Sequence, residues 1–286
     1  MSRHGITETT PPIILTLENS GMCGSIAITA PGLCLAEYSL TSKVTHSKRL
    51  LGSLEFLMRE AGIDWQDIDA IAVSLGPGSF TGLRIGLTTA KGLVMATGKK
   101  LIGISSLDGL AAQLQDSDKL ICPAIDARKK QVYTALYRNM APKTQRGVND
   151  HGENDKGQSR RAAGKQLERE RINDNEPLDC PPRFRGAAAC NLQRISPQMA
   201  VSPRDLAAMI KEPVIFIGDG GVLYQEIFIE ELGDMANLAL PEVYFPRAAA
   251  IGRLALHKWQ AKEFLDPISA APVYVRPSDA EMTLKR

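Results

Sequence analysis

The stretch from Ala70 to Gly98 constrains the fold more than any other part of the sequence. It opens with a short apolar run of strand length at 70–75, which breaks on two glycines and a proline at 76–78. Beyond the break, apolar residues recur at the three- and four-residue spacing of an amphipathic helix, at Leu83, Leu87, Ala90 and Val94. The stretch therefore predicts a strand, a glycine-rich turn and a helix, the unit from which α/β domains are built.

Glycines on the predicted helix need a physical reason, because a glycine inside a helix costs about 0.5–1 kcal/mol relative to alanine. Gly82, Gly86 and Thr89 share one face of this helix. Such a face predicts the close approach of another backbone, at a second helix or at a ligand. Phosphate binding at 76–82 is the weaker alternative, because the glycine spacing matches neither a dinucleotide-binding turn nor a P-loop.

Composition limits the class of protein. The chain has 286 residues, a hydrophobic content of 44%, a charged content of 23% and a net charge of +2, values typical of a globular protein of one large or two modest domains. Its five cysteines fit free thiols in a reducing compartment. No apolar run reaches the roughly 18 residues of a membrane helix. We therefore expect a cytoplasmic protein that makes no membrane contact.

The first part of the chain has a recognisable order of elements. Three strand-like segments come first, at 13–17, 24–30 and 33–40. A helix follows from Thr45 to Ala61, and Leu50, Leu54 and Leu57 lie on its apolar face. Together with the stretch described above, the order is β-β-β-α-β-α, the layout of an actin-like ATPase half-domain.

A second half starts at Leu120 and contains a charged insertion. Between Met140 and Cys180 the sequence is dense in charged residues and poor in large apolar ones, so burial cannot offset the entropy of ordering. We expect this insertion to be mobile. The predicted domains are a flexible N-terminus at 1–11, an N-terminal lobe at 12–108 completed by a helix at 247–263, a second lobe at 109–246 that includes a mobile insertion at 140–197, and a C-terminal tail at 264–286.

Three carboxylates end predicted strands and are the best candidates for chemistry. They are Glu18, Asp126 and Asp219, and Gly218 and Gly220 flank the last of them. One interpretation is a vestigial nucleotide cleft; the other is that these side chains only cap turns and helix starts. The histidines are few and far apart, so we predict no metal site.

A family resemblance emerges from these motifs. The eleven residues from Gly76 to Gly86 closely resemble the hallmark of the bacterial TsaB (YeaZ) family. Supporting matches lie at 46–47, 126–128, 218–220 and 274–276. The resemblance implies an α/β fold of the actin-like ATPase (ASKHA) type, with two related β-β-β-α-β-α lobes, and a part in making threonylcarbamoyladenosine beside the anticodon of tRNA.

The resemblance also implies partners. In this family the catalytic subunit is the paralogue TsaD, and the TsaB-like chain is a non-catalytic scaffold that also recruits the ATPase TsaE. From the resemblance, we expect this chain to form a homodimer when alone, to contact tRNA only through the complex, and to bind no cofactor tightly. ATP, ADP and Mg²⁺ would come through TsaD and TsaE.

The two early helices form the dimer or heterodimer surface of the family. Carried to this sequence, that surface comprises Leu50, Leu54, Leu57, Gly82, Arg84, Gly86, Thr89 and Ala90. Glu18-Asn19-Ser20 departs from the family's usual Asp-Thr-Ser/Ala, which weakens the nucleotide interpretation. The alternative function is an actin-like nucleotide-dependent kinase or a glycoprotease-like hydrolase of the same superfamily.

Overall fold

The computed structural model describes residues 11–41, 47–140 and 191–276, and these residues form two sheets with helices on both faces. The strands are β1 Ile14–Glu18, β2 Cys23–Ala30, β3 Leu33–Thr41, β4 Ala70–Gly76, β5 Lys100–Ser105, β6 Leu120–Asp126, β7 Val132–Thr134, β8 Tyr137–Asn139, β9 Leu192–Arg194, β10 Met199–Val201, β11 Val214–Ile217 and β12 Ala236–Leu238. The helices are α1 Ser47–Ala61, α2 Phe80–Thr97, α3 Ser106–Ala111, α4 Pro203–Met209, α5 Asp219–Leu223, α6 Gln225–Leu232 and α7 Ala248–Gln260.

The first sheet has the strand order β3-β2-β1-β4-β5. Strands β1, β2 and β3 run antiparallel, whereas β4 and β5 continue parallel to β1. Because side chains alternate along a strand, Leu15 and Leu17 face the core beneath α1 and α2, and Ile14 faces α7 on the opposite side. Helices therefore cover both faces of this sheet at β1.

The second sheet repeats this topology in the order β10-β7-β6-β11-β12. Strands β7 and β10 are antiparallel to their neighbours, and β11 and β12 run parallel to β6. Helices α4 and α6 cover one face, where Phe216 and Phe228 stack with ring centroids 4.0 Å apart. The predicted pair of related lobes is present, with β8 and β9 added as an extra antiparallel pair of strands.

Two helices cross between the lobes. Leu107 and Leu110 of α3 pack on the second sheet, although α3 follows the last strand of the first. Conversely, Ile251 and Ala255 of α7 pack on the first sheet, although α7 follows the last strand of the second. Each lobe thus receives a helix from the other half of the chain.

After β11 the chain forms two helices, α5 and α6, which divide at Tyr224, and β7 and β8 are separate short strands. One predicted boundary differs from the structure. The predicted insertion ended at 197, whereas pairing resumes earlier, at β9. The N-terminal residues 1–10, the central part of the insertion at 141–190 and the end of the tail at 277–286 lie outside the described residues. Across the described ranges, no helix combines the length and apolar character needed to cross a membrane.

Candidate functional site

The glycine-rich turn joins β4 to α2. Helix α2 begins at Phe80, and the Ser79 hydroxyl caps it by accepting a hydrogen bond of 3.2 Å from the Gly82 N–H. Gly98 ends the helix in a left-handed conformation with φ 69°. The local chemistry of the turn therefore fixes both ends of α2.

The turn after β1, Glu18 to Ser20, fills the space beside these glycines. The Ser20 carbonyl accepts a hydrogen bond of 2.6 Å from the Ser79 N–H. A Cβ atom at Gly78 would lie 2.3 Å from that carbonyl oxygen, and one at Gly82 would lie 2.1 Å from the carbonyl oxygen of Asn19. The glycines are required because the chain's own backbone approaches them, which leaves no cradle for a phosphate.

Glu18 lies at the end of β1 and is fully buried, with 0% exposure. Its Oε1 accepts a hydrogen bond from the Ser20 N–H, while Oε2 has no partner among the described residues. Burial raises the pKa of this carboxyl to about 7. The side-chain oxygens of Asn19 and Ser20 are likewise buried without a partner. A closed site of this kind, with its carboxyl fully buried, does not fit the phosphates or the Mg²⁺ of a nucleotide.

Asp126 and Asp219 lie together where the parallel strands β6 and β11 end. Asp219 Oδ1 accepts a hydrogen bond of 3.0 Å from the Asp126 backbone N–H, and burial raises the pKa of Asp219. Asp126 pairs with the Arg128 guanidinium at 3.2 Å. Asp219 thus bonds to the backbone of Asp126, and Asp126 pairs with a neighbouring cation.

Gly218 and Gly220 have a packing role beside these aspartates. A Cβ at Gly218 would lie 2.3 Å from the carbonyl oxygen of Ala124, and one at Gly220 would lie 2.9 Å from the same atom. They let the β11–α5 turn lie against β6. The structure therefore brings Asp126, Gly218, Asp219 and Gly220 together, while no hydrogen bond or ion pair in the described residues joins them to Glu18.

Most residues of the predicted partner surface are buried within the chain itself. Leu54, Leu57 and Ala90 are 2%, 4% and 0% exposed, because their side chains form the core under α1 and α2. Gly82 and Gly86 face Asn19 of the same chain. An apolar stripe shows that a helix face is covered, but it does not show whether the chain or a partner covers it.

The remaining three residues of the predicted surface are Arg84, Thr89 and Leu50. Arg84 is exposed and Thr89 is half-buried. The side chain of Leu50 lies outside the described residues, although its backbone is part of α1.

One exposed cluster was missed by the sequence interpretation. The Arg84 guanidinium lies 3.8 Å from the centre of the Phe80 ring, and its Nε donates a hydrogen bond of 3.2 Å to the Tyr274 hydroxyl. The rings of Phe80 and Tyr274 stack with centroids 5.4 Å apart. The spacing of Phe80 and Arg84 along one helix was a visible signal. The contribution of Tyr274 was not, because it comes from the far end of the chain.

Comparison with known proteins identifies the family. The model of a family described as "TsaD: tRNA N6-adenosine threonylcarbamoyltransferase" matches residues 35–263. The chain is also 28% identical to the tRNA threonylcarbamoyladenosine biosynthesis protein TsaB of Bacillus subtilis, over 94% of this chain and 96% of that protein. The chain belongs to the TsaB (YeaZ) branch of this family. As a member of this branch, the chain is involved in the threonylcarbamoyladenosine modification of tRNA.

Two further relatives agree with this assignment. The TsaB of Escherichia coli is 34% identical over 44% of this chain and 54% of that protein. The solved structure of YeaZ from Pseudomonas aeruginosa superposes with a TM-score of 0.66, at 22% identity, over 92% of this chain and 99% of that one. At that identity the likeness concerns the fold, and together with the repeated strand order it confirms the predicted actin-like α/β fold.

Proposed function

We propose that this chain is a non-catalytic scaffold subunit for threonylcarbamoylation of the adenosine beside the tRNA anticodon, acting in the cytoplasm. It binds the catalytic TsaD and the ATPase TsaE, and it forms a homodimer when alone. tRNA contacts it only through the complex, and ATP, ADP and Mg²⁺ come through TsaD and TsaE. The observation that carries the proposal is the contact of Asn19 with Gly82 inside the glycine-rich turn.

This contact supports a role without chemistry of its own. In a nucleotide-binding protein, a glycine-rich turn before a helix presents backbone N–H groups to a phosphate. Here the Ser79 N–H already donates to Ser20, and the Gly82 N–H donates to Ser79. A phosphate would have to displace the β1–β2 turn, which is locked in place by the hydrogen bond from Asn19 Nδ2 to the Gly82 carbonyl at 3.1 Å.

The partner surface, in this proposal, is the outer face of α1 and α2. Both helices cover the same face of the first sheet, so their outer sides point in the same direction. Phe56 of α1 is 47% exposed and Met95 of α2 is 77% exposed. Exposed large apolar side chains of this kind are enriched at the centres of protein interfaces. The outer face replaces the buried residues of the original prediction.

Reconstitution tests both parts of the proposal. The chain is combined with TsaD, TsaE, tRNA, ATP and threonylcarbamoyl-adenylate, and transfer to tRNA is measured together with complex size by sedimentation. We expect transfer to require the chain, and Phe56→Glu to weaken assembly and transfer at least tenfold. Ile229→Glu is the matched control, because Ile229 is 53% exposed on α6 of the second lobe.

Two results would contradict the proposal. ATP or peptide turnover by the isolated chain, lost in Glu18→Ala, would make it an enzyme. Full transfer without the chain, or with equal losses in Phe56→Glu and Ile229→Glu, would remove the scaffold role or its assigned surface.

A further inference from the structure

A cavity of about 540 Å³ lies beside α7, which covers the face of the first sheet opposite to α1 and α2. Its walls are the turn between β2 and β3, the segment that follows α3, and one side of α7. A volume of this size lies within the range of small-molecule sites in proteins, about 300–1,000 Å³. Nothing in the proposed scaffold role uses this cavity.

Arg253 of α7 is a cation on the wall of the cavity that lacks an acidic partner. Its Nη2 donates to the backbone carbonyl of Ala112, and its buried Nε has no acceptor. No carboxylate forms an ion pair with it anywhere in the described residues. A half-buried guanidinium without a carboxylate partner is costly to maintain, and an anion bound in the cavity would offset that cost.

The other charged groups around the cavity leave it positive. Arg247 also lines the cavity, but Glu37 neutralises it by accepting a hydrogen bond of 3.0 Å from its Nε. His257 follows Arg253 by one helical turn, and burial together with the charge of Arg253 lowers the pKa of its imidazole. Asp116 contributes a negative charge from the exposed rim, where solvent screens it.

The remaining wall is largely apolar. Ala30 and Leu33 contribute from the β2–β3 turn, and Ala249 and Leu256 contribute from α7. A ligand that is complementary to the cavity therefore has an anionic group for Arg253 and an apolar body for the rest of the wall. We propose that this cavity binds a small organic anion, a carboxylate or a phosphate ester, whose charged group contacts Arg253.

The test uses the full chain and three probes that share a phenyl group as their apolar part. Phenylacetate and phenyl phosphate carry the two anionic groups, and phenylacetamide is the neutral control. Isothermal titration calorimetry measures affinity, and amide chemical shifts locate the site. We expect at least one anion to bind tenfold or more tightly than phenylacetamide and to shift the amides at 30, 32–34 and 249–257. Preference for phenyl phosphate assigns a phosphate ester, and preference for phenylacetate assigns a carboxylate.

Variants connect binding to the cavity. Arg253→Met should weaken binding of the preferred anion roughly tenfold or more, because a charge-assisted hydrogen bond is lost. Ala249→Phe fills the cavity without altering its charges and should abolish binding even if Arg253→Met fails to fold. Arg59→Met is the control, because Arg59 is exposed on α1, and should leave affinity unchanged. Equal binding of phenylacetamide, no binding of either anion at millimolar concentration, or binding that survives Ala249→Phe would overturn the proposal.

Discussion

The carbonyl oxygen of Asn19 occupies the position beside Gly82 where any other residue would place its Cβ, since an ideal Cβ there would lie only 2.1 Å from that oxygen. In return, the Asn19 side chain donates to the Gly82 carbonyl at 3.1 Å. The first turn of α2 and the turn after β1 are thus locked together by two complementary contacts. The glycine-rich motif is a device for packing within the chain.

Gly82→Ala should therefore destabilise the fold. The new methyl group would overlap a backbone oxygen, and a backbone atom cannot move away as the tip of a flexible side chain can. We expect a loss of about 1–3 kcal/mol or more in the free energy of unfolding, as for overpacked cores. Urea denaturation followed by circular dichroism measures this loss.

Gly92→Ala is the matched control on the same helix. No atom lies within 4 Å of a Cβ at this position, so only helix propensity changes. The variant should be more stable than the original by about 0.5–1 kcal/mol. If both variants behave alike, the close contact between Asn19 and Gly82 is not what requires glycine at 82.

The α2 region shows how much of the fold the sequence could predict. The strand, the glycine-rich turn and the helix that follows it were predicted from residues that are neighbours in the chain, so local patterns were sufficient. The group that approaches Gly82 could not be predicted in this way, because Asn19 is 63 residues away. The sequence pointed to close approach of a backbone but not to which backbone.

The three carboxylates show a second limit of what can be predicted from the sequence. Their positions at strand ends were predicted, since apolar runs of strand length precede Glu18, Asp126 and Asp219. Whether such a group faces solvent, a ligand or its own backbone depends on burial, which arises only when the sheets and turns pack. The structure assigns Glu18 to the interior and Asp219 to the Asp126 N–H.

The buried carboxyl of Glu18 should make stability depend on pH. Its pKa is raised from 4.5 to about 7 in the folded chain, so the folded state keeps the proton over a range where the unfolded state releases it. The free energy of unfolding should therefore fall as pH rises through this window, by about 3 kcal/mol for the group as a whole.

Glu18→Gln removes this dependence. Relative to the original chain, its melting temperature should rise between pH 5 and pH 8, because only the original chain must bury a charge at the higher pH. Glu55→Gln, which makes the same substitution at an exposed position of α1, is the matched control. A difference for Glu18→Gln that does not change with pH would mean that this carboxyl is ionised and stabilised throughout.

The aspartate pair offers a test of the capping interpretation. Asp219→Ala should cost about 1–3 kcal/mol, because the partly buried Asp126 N–H loses its acceptor. Asp219→Asn keeps an oxygen in place and should cost much less. Equal losses in the two variants would show that the charge of Asp219, not its hydrogen bond to the backbone, is what the fold needs.

The last prediction concerns how the C-terminal segment is held to the first lobe. Val273 N–H donates to the Leu75 carbonyl at 2.8 Å, and next to it Tyr274 stacks on Phe80 and accepts the hydrogen bond from Arg84. The side chains of Tyr274, Phe80 and Arg84 are all exposed, so water competes for the hydrogen bond, and the stacked ring should contribute more than the hydroxyl.

Tyr274→Ala should then increase amide hydrogen exchange at Val273 several-fold, whereas Tyr274→Phe should leave it nearly unchanged. Exchange in both variants is followed at this one amide and at the buried Ile71 amide of β4, which should not respond. If Tyr274→Phe accelerates exchange as much as Tyr274→Ala, the hydrogen bond from Arg84 fastens the segment and the ring stack is secondary.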